Sequence, residues 1–371
     1  MKSSLENCEN QKKSIGVIDL FCGIGGLTYG LKQAGLNVIA GIDLDSSCKY
    51  AYETNNEGAS FISDDIETTE VKSIVEKFKN YNVKILVGCA PCQPFSTHSN
   101  KIKDREKSDK WNLLNHFLRL IKESKPDIVS MENVPNLANK EIFESFVNEL
   151  IALGYYVSYQ NIFCPDYGIP QKRRRLVLLA SLYGKISIIE KTHTKDEYIS
   201  VRAVIGELEH LRNGQKSKTD KLHFTTRLSK KNLERIKASK QNGTWDDWKE
   251  SLKLDCHKEE TGSTYKSVYG RMSWDEPSPT ITTQFFNYGT GRFGHPEQNR
   301  ALTIREAAIL QTFPNDYIFV GDDEKISMNN LGMHIGNAVP PRLGEIIGES
   351  IITHIEQSIL GDGEELWRMT I

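Results

Sequence analysis

The chain has 371 residues, of which 38% are hydrophobic and 26% charged, with a formal net charge of −2. This balance is typical of a globular protein and excludes a disordered chain, and the length suggests two or three domains, or one large domain with an insertion. No run approaches the roughly 18 apolar residues of a membrane span. Residues 1–14 lack the apolar core of a signal peptide, so we interpret them as a disordered tail.

The first half of the chain alternates strand and helix patterns, which predicts a doubly wound, mostly parallel sheet. The predicted strands are Ile15–Phe21, Asn37–Ile42, Ser60–Ile62, Val83–Gly88, Asp127–Met131, Tyr155–Ile162 and Arg175–Ala180. The predicted helices lie near Leu27–Ala34, Ser46–Thr54, Val71–Asn80, Asn112–Ser124 and Glu141–Leu153, and later at Thr303–Gln311 and Leu343–Gln357. Between about 185 and 298 the chain is polar and rich in lysine, which indicates a second, less regular domain.

A glycine-rich turn, DLFCGIGGL (19–27), joins the first predicted strand to a helix. Glycines there permit a tight turn and a close approach to a ligand at the helix N-terminus, and Asp43 is placed to bind a ribose diol. A glycine-rich turn of this kind also binds NAD, so NAD is the main alternative ligand for this site. Five carboxylates cluster at the ends of the first three strands, namely Asp19, Asp43, Asp45, Asp64 and Asp65. They would repel a pyrophosphate but attract a cation, which favours the sulfonium of S-adenosylmethionine.

Cys92 lies on a loop that follows the apolar strand at 83–88, between Pro91 and Pro94. Prolines stop a strand or helix from continuing, and the carboxyl edge of such a sheet is where ligands bind, so Cys92 is a candidate nucleophile. The alternative is a buried packing cysteine. Cys89 and Cys92 form a Cys-x-x-Cys pair, but no second pair lies at zinc-site spacing, and we predict neither a metal site nor a redox pair. The seven cysteines, odd in number and scattered, favour reduced thiols in the cytosol.

Two further segments are expected at the same sheet edge. Glu132 ends the fifth predicted strand, where a carboxylate is either a cap or a functional acid. QKRRR (171–175) opens the last predicted strand, and alternation places Arg173 and Arg175 on one face and Arg174 on the other. A thiol, a carboxylate and a guanidinium in one cleft suit attack on an electron-poor ring.

Residues 212–240 contain ten Lys or Arg against two acidic residues, a net charge of +8. Taken alone, this window is an ordinary solvated surface. The functional alternative is a surface that contacts nucleic-acid phosphates.

Together these motifs resemble the DNA (cytosine-5)-methyltransferases. The matching segments, in the family's order, are DLFCGIGGL (19–27), GIDLD (41–45), DDI (64–66), GCAPCQPFS (88–96), MENV (131–134), QKRRR (171–175), RALTIREAAILQTFP (300–314) and IGNAVPP (335–341). The resemblance implies a methyltransferase fold with an inserted, smaller and irregular target-recognition domain. The expected divisions are a tail (1–14), a catalytic and cofactor-binding domain (15–184), a target-recognition domain (185–325, variable over 185–298) and a C-terminal segment that returns to the catalytic domain (326–371).

The resemblance also implies a mechanism. Cys92 would attack carbon 6 of a cytosine, Glu132 would engage ring nitrogen 3 and the exocyclic amine, and Arg175, with Arg173 nearby, would hold the flipped base. Flipping is needed because the base cannot be reached inside a duplex, and covalent attack divides a difficult methylation into easier steps. The implied cofactor, S-adenosylmethionine, would contact Phe21, Gly23, Gly25, Asp43, Asp65, Leu113 and Asn337.

Duplex DNA is the implied partner, and the basic window gains weight as its binding surface. The expected DNA-contacting residues are Ser96, Lys218, Arg227, Lys231, Arg271 and Arg292. Of these, Arg271 and Arg292 are candidate base readers, although a lone arginine is more often a surface residue.

One departure from the family's pattern is Asp64, which stands where a glycine is common and leaves the loop at Asp65 undetermined. Two alternatives are an RNA cytosine methyltransferase and an inactive DNA-binding protein; the long variable domain argues against the first and the complete catalytic set against the second. We expect a monomeric bacterial protein of the cytoplasm that is associated with the nucleoid while acting, has no membrane partner and is paired in function with a restriction endonuclease.

Overall fold

A seven-stranded sheet carries the first half of the chain in the computed structural model, which describes residues 14–91, 112–259, 262, 264 and 266–359. Its strands are β1 (Ile15–Leu20), β2 (Val38–Asp43), β3 (Ser60–Ser63), β4 (Val83–Gly88), β5 (Ile128–Asn133), β6 (Tyr156–Phe163) and β7 (Arg174–Ser181). The spatial order is β3-β2-β1-β4-β5-β7-β6. The first five strands are parallel, whereas β7 runs antiparallel to both β5 and β6. The predicted mostly parallel, doubly wound sheet is confirmed.

Helices cover both faces of this sheet and continue beyond it. They are α1 (Gly26–Gln33), α2 (Lys49–Asn55), α3 (Val71–Phe78), α4 (Leu113–Ser124), α5 (Glu141–Ala152), α6 (Val201–Ile205), α7 (Lys230–Ala238), α8 (Asp255–Lys258), α9 (Ile304–Leu310), α10 (Met328–Asn337) and α11 (Pro341–Ile359). Within the described part of the chain, none of them is long and apolar enough to span a bilayer.

Alternation along the strands divides the apolar side chains between two cores. In β4, Ile85 and Val87 enter the core that contains α1 and α11, while Leu86 enters the core formed with α3, α4 and α5. This is the period-two pattern of a strand that is buried on both faces. It explains why the strands are visible in the sequence as nearly continuous β-branched runs.

The strand order reverses beside β1, which pairs with β2 on one side and with β4 on the other. In open sheets such a reversal leaves a crevice at the carboxyl ends of the strands, because the flanking connections cross to opposite faces. The glycine-rich turn after β1 and the loop after β4 border this crevice.

Helix α11 packs against α1, so the C-terminal part of the described chain lies directly behind the glycine-rich turn. Glycines make this approach possible: a Cβ atom on Gly30 would lie 2.0 Å from the Pro341 carbonyl oxygen, and one on Gly344 would lie 2.8 Å from the Leu27 carbonyl oxygen. Any side chain at either position would force the two helices apart.

The segment between β7 and α9 has a small apolar core of its own. Trp245 and Trp248 are buried there, and the Arg235 guanidinium lies over the Trp248 ring. Trp274 instead joins the larger core of the sheet. The domain boundaries proposed from the sequence remain predictions.

Candidate active site

A cavity of about 300 Å³ opens at the carboxyl ends of β1, β2 and β4, where the strand order reverses. Six of the seven residues expected to contact a cofactor line it: Phe21, Gly23, Asp43, Asp65, Leu113 and Asn337. They come from five separate parts of the chain, and the fold brings them together. The seventh, Gly25, lies just behind the wall as the residue that precedes α1.

The glycine-rich turn takes backbone conformations that suit glycine. Gly23 and Gly25 have φ angles of 50° and 88°, and a Cβ atom on Gly25 would lie 2.4 Å from the Asn56 side-chain nitrogen. The Gly23 N–H donates to the Asp43 carboxylate (2.8 Å), which ties the end of β2 to the turn. The other Asp43 oxygen accepts the Asp45 N–H (2.9 Å), so this carboxylate is held at a fixed orientation on the cavity wall.

The cavity has a strongly acidic lining, to which Asp19, Asp43, Asp45 and Asp65 contribute. Burial raises the pKa of Asp43. Asp19 is only 1% exposed, and burial raises its pKa to about 7 even though the Thr28 hydroxyl donates to one oxygen (2.7 Å). Its other oxygen has no hydrogen-bond partner among the described residues. A buried carboxylate in this state is stabilised by a cationic ligand, so the cavity fits a sulfonium or an ammonium group and disfavours a pyrophosphate.

Asp64 orders the loop before Asp65 without a glycine. Its carboxylate accepts the Asp65 N–H (2.9 Å) and the Thr69 hydroxyl (2.9 Å). The short side chain therefore caps its own loop, as Asp does in many turns. Asp65 is left facing the cavity.

One group on the cavity wall has the composition of a metal site. Asp45, Cys48 and His334 each bring a ligand atom to within 4.8 Å of the others. Burial and the neighbouring carboxylates raise the pKa of Cys48. His334 lies 3.0 Å from an Asp45 oxygen and thereby joins α10 to the loop after β2. We therefore assign these residues to the wall of the cavity.

Glu132 occupies the end of β5, next to the loop after β4, and its side chain is 2% exposed. The Arg175 Nε lies 2.8 Å from one carboxylate oxygen, as a close ion pair. The Cys89 thiol donates to the other oxygen. Because β7 runs antiparallel to β5, the beginning of β7 lies at this edge and places Arg175 beside Glu132.

The three consecutive arginines have different environments, as alternation predicts. Arg174 is exposed and lies over the Phe163 ring (4.4 Å), whereas Arg173 and Arg175 point to the other side. Arg173 differs from the expectation. It is 2% exposed and donates to the carbonyl oxygens of Ile281 (3.3 Å) and Ala338 (3.2 Å).

This arrangement gives Arg173 a structural role, and its expected role beside the base stays a prediction. Its guanidinium joins the beginning of β7 to the inserted segment, by which we mean the chain between β7 and α9, and to the residues after α10. Burial together with Arg175 lowers the pKa of Arg173 to about 10. A group that donates to two carbonyl oxygens from different parts of the chain holds the cleft together. Cys92 and Ser96 lie outside the described residues. The nearest described part of their loop is anchored, because the Asn133 side chain donates to the Ala90 carbonyl oxygen (2.9 Å).

Arg271, which we expected to read bases, lies inside the protein, and its role in DNA contact stays a prediction. Arg271 is 4% exposed, and its guanidinium donates to four carbonyl oxygens and to the Asn299 side chain. It is thus an internal brace of the inserted segment. Arg292 is half-buried and donates to the Asn242 carbonyl oxygen (2.6 Å) and side chain.

The basic window divides into structural and exposed cations. Arg235 is buried in the small aromatic core, and Lys221 pairs with Asp322 (3.0 Å). Lys218, Arg227 and Lys231 are exposed, as a phosphate-contacting surface requires. Charge counting could not separate these groups, because the partners of Arg235 and Lys221 come from distant parts of the chain.

Sequence reasoning missed Cys89 as a site residue. It considered Cys89 only as half of a Cys-x-x-Cys pair, whereas the structure places its thiol on Glu132. The available signal was its position directly after β4, three residues before Cys92 and at the same sheet edge as Glu132.

Comparison with known proteins agrees with this geometry. The family model for the C-5 cytosine-specific DNA methylases matches residues 15–353. The chain is 50% identical over 343 residues to the type II methylase M.HgiDII of Herpetosiphon aurantiacus, covering 92% of this chain and 96% of that protein. It is 32% identical over 351 residues to the type II methyltransferase M1.HphI of Haemophilus parahaemolyticus, covering 91% and 87%.

Solved structures share the fold. The Dnmt2 methyltransferase of S. pombe superposes with a TM-score of 0.62 at 18% identity, covering 92% of this chain and 98% of that one. The methyltransferase EhMeth of Entamoeba histolytica gives a TM-score of 0.64 at 17% identity, covering 93% and 99%. From the family match and the type II relatives, the chain belongs to the C-5 cytosine-specific DNA methylase family and is a DNA (cytosine-5)-methyltransferase.

Proposed function

We propose that this enzyme transfers a methyl group from S-adenosylmethionine to carbon 5 of a cytosine in a specific duplex sequence, with the base flipped out and bonded to Cys92. The observation that carries the proposal is the Glu132 carboxylate, held by Arg175 at the edge of an acidic cavity. The cavity suits the cofactor because Asp19 offers a buried oxygen without a partner among the described residues. When bound, S-adenosylmethionine supplies an electrophilic methyl group.

The residues of the chain prepare the base for this transfer. The Cys92 thiolate forms a bond to ring carbon 6, and the displaced electron density moves toward ring nitrogen 3. Glu132 faces nitrogen 3 and the exocyclic amine and neutralises that density by sharing a proton. Arg175 holds the Glu132 carboxylate and the base. Carbon 5 becomes nucleophilic and would receive the methyl group. Its proton then passes to water, the bond between Cys92 and carbon 6 breaks to regenerate the thiolate, and the proton shared with ring nitrogen 3 returns to Glu132.

The test is mass spectrometry of nucleosides from plasmid DNA and total RNA of cells that express the chain, beside Cys92→Ala and Cys256→Ala. Cys256 is an exposed cysteine of the inserted segment and serves as the matched control. We expect 5-methylcytosine in DNA from the wild type and the control, and none with Cys92→Ala. Turnover by Cys92→Ala would remove Cys92 from the mechanism, and 5-methylcytosine confined to RNA would support the RNA alternative. DNA binding without methylation would support the inactive DNA-binding alternative.

The exposed cations of the inserted segment form the proposed phosphate-contacting surface. We expect Lys218→Glu, Arg227→Glu and Lys231→Glu, combined, to weaken DNA binding and to reduce the slope of log affinity against log salt by about 0.9 per lost contact. A control variant carries Lys72→Glu and Lys79→Glu on and next to α3, both at exposed positions. An unchanged salt slope in the triple variant would show that these three residues do not contact DNA phosphates.

The type II relatives support a role in a restriction–modification system, where the methylated sequence is protected from a paired endonuclease. We propose that the enzyme acts as a monomer of 42.1 kDa. We also propose that it acts in the cytoplasm, where the chromosome that carries its target sequence lies. Sequencing of methylated plasmid DNA would define the target, and endonucleases that cut this target should then fail on the plasmid. Light scattering after size exclusion gives the oligomeric state.

A further inference from the structure

The Cys89 thiol joins the acidic cavity to the Glu132 carboxylate. Cys89 lines the cavity, and its Sγ donates to one Glu132 oxygen (2.7 Å), while the Arg175 Nε lies 2.8 Å from the other oxygen. Each carboxylate oxygen therefore has a different neighbour. One neighbour is a fixed charge and the other is a neutral thiol.

Two contacts of this kind fix the plane of the carboxylate. The last torsion of a glutamate side chain is broad, so a single partner leaves the plane free to turn. The thiol is itself held in place, because the Cys89 N–H donates to the Leu20 carbonyl oxygen (3.3 Å) and the next residue accepts the Asn133 side chain. Resting on the proposed function, we propose that Cys89 is a positioning residue that orients the Glu132 carboxylate toward the flipped cytosine.

A thiol suits this task because it is a weak hydrogen-bond donor. It fixes the direction of the carboxylate without placing a second charge beside it. An ionised carboxylate has about four acceptor positions. Cys89 fills one on one oxygen, while the other oxygen forms the ion pair with Arg175 and has no hydrogen-bond partner among the described residues. The unfilled positions are those that we expect the base to use.

The kinetic test compares Cys89→Ala, which removes the donor, with Cys89→Ser, which restores it, and with Cys256→Ala as the control. We expect Cys89→Ala to lower kcat about tenfold with KM for DNA unchanged, because the base still binds but meets a misdirected carboxyl group. Cys89→Ser should recover most of kcat. A donor stabilises the charged carboxylate, so the alkaline limb of the pH–rate profile should lie highest for Cys89→Ala and lowest for Cys89→Ser.

Infrared spectroscopy tests the contact without any need for activity, so it separates a failure of this inference from a failure of the proposed function. The S–H stretching band that disappears in Cys89→Ala should move to higher frequency in Glu132→Gln, since an amide accepts a hydrogen bond more weakly than a carboxylate. An unmoved band would overturn the inference. Equal kcat and superimposable pH profiles for the wild type and Cys89→Ala would also overturn it.

Discussion

Two buried glutamate–arginine pairs lie in different regions of this molecule and differ in how completely they are satisfied. At the sheet edge, Glu132 meets Arg175 through one nitrogen, and the Arg175 side chain is 14% exposed. In the second pair, Glu306 lies in the first turn of α9 and Arg300 lies just before this helix. The two side chains pair through two parallel contacts of 2.7 and 2.8 Å, and both are at most 1% exposed.

The second pair is closed to further partners. Glu306 also accepts the Thr303 N–H (2.8 Å) and lies near His295 (3.8 Å). Burial alone would raise the pKa of Glu306, but the charge and hydrogen bonds of Arg300 hold it at about 2. A saturated pair of this kind fixes the fold around α9. The pair at the sheet edge keeps unfilled acceptor positions on Glu132, and its Arg175 side chain is partly exposed.

Glu306→Gln should break the closed pair and leave the Arg300 charge buried. We expect the free energy of unfolding to fall by about 3–5 kcal/mol, the usual cost of removing one partner from a buried ion pair. Urea unfolding measures the loss, with Glu76→Gln on the surface of α3 as the control. Methylation per folded molecule should stay near that of the wild type, and a specific loss of kcat would show that the comparison is wrong.

Glu132→Gln should have the opposite profile at the open pair. We expect kcat to fall by about 10²-fold or more, because an amide cannot exchange a proton with the base. The melting temperature should change little, since Arg175 retains contact with solvent and with the Arg174 carbonyl oxygen. Calorimetry and nucleoside mass spectrometry on the same preparations test both statements. A large loss of stability would mean that Glu132 serves the fold as well.

Asp19→Asn should stabilise the cofactor-free protein and weaken its hold on a cation. The pKa of Asp19 is raised from 3.8 to about 7, so folding takes up a proton between these values and the stability it contributes is lost as pH rises through them. We expect the variant to be more stable than the wild type by roughly 4 kcal/mol at pH 8, and by roughly 2 kcal/mol at pH 5. Urea unfolding of both proteins at pH 5 and pH 8 measures this difference in stability. The same difference at both pH values would contradict a raised pKa for Asp19.

His295 should make the closed region sensitive to acid. Burial lowers its pKa from 6.5 to about 3. The unfolded chain therefore binds a proton that the folded chain does not, and stability is lost as pH falls from 6.5 toward 3. We expect a slope of about 1.4 kcal/mol per pH unit from this group, which His295→Gln should remove. An identical slope in the variant would assign the acid sensitivity to other groups.

Local sequence patterns predicted all seven strands of the sheet, but not the direction of β7. Strand bounds agree within one or two residues. The central strands β1, β4 and β5 are buried on both faces and therefore leave a continuous apolar signal, whereas the edge strands β3 and β6 are partly exposed. The reversal of β7 was not foreseen, since strand direction depends on long-range pairing with β5. Helix α10 was missed as well, because its sequence, MNNLGMHIGN, has two glycines and a weak apolar pattern.

The candidate site shows the same division. Six of the seven expected cofactor positions line one cavity, since strand ends in a parallel sheet share an edge. The roles of the arginines in the inserted segment were harder to predict, because their burial depends on carbonyl oxygens of residues that are distant in the sequence. Arg271 illustrates this: nothing within five residues of it in the sequence accepts its hydrogen bonds. Residue type and local charge therefore could not distinguish a brace from a base reader.

The packing of α11 on α1 has a consequence for synthesis of the protein on the ribosome. The first turn of the cofactor cavity, at 21–25, is supported by a helix that is translated more than 300 residues later. A nascent chain that ends after the inserted segment lacks both Asn337 and α11, so its cavity is open at the back and its glycine-lined helix surface is exposed. Such non-local closure is slow and leaves apolar surface accessible meanwhile. The enzyme can therefore start methylating only after the residues of α11 have left the ribosome.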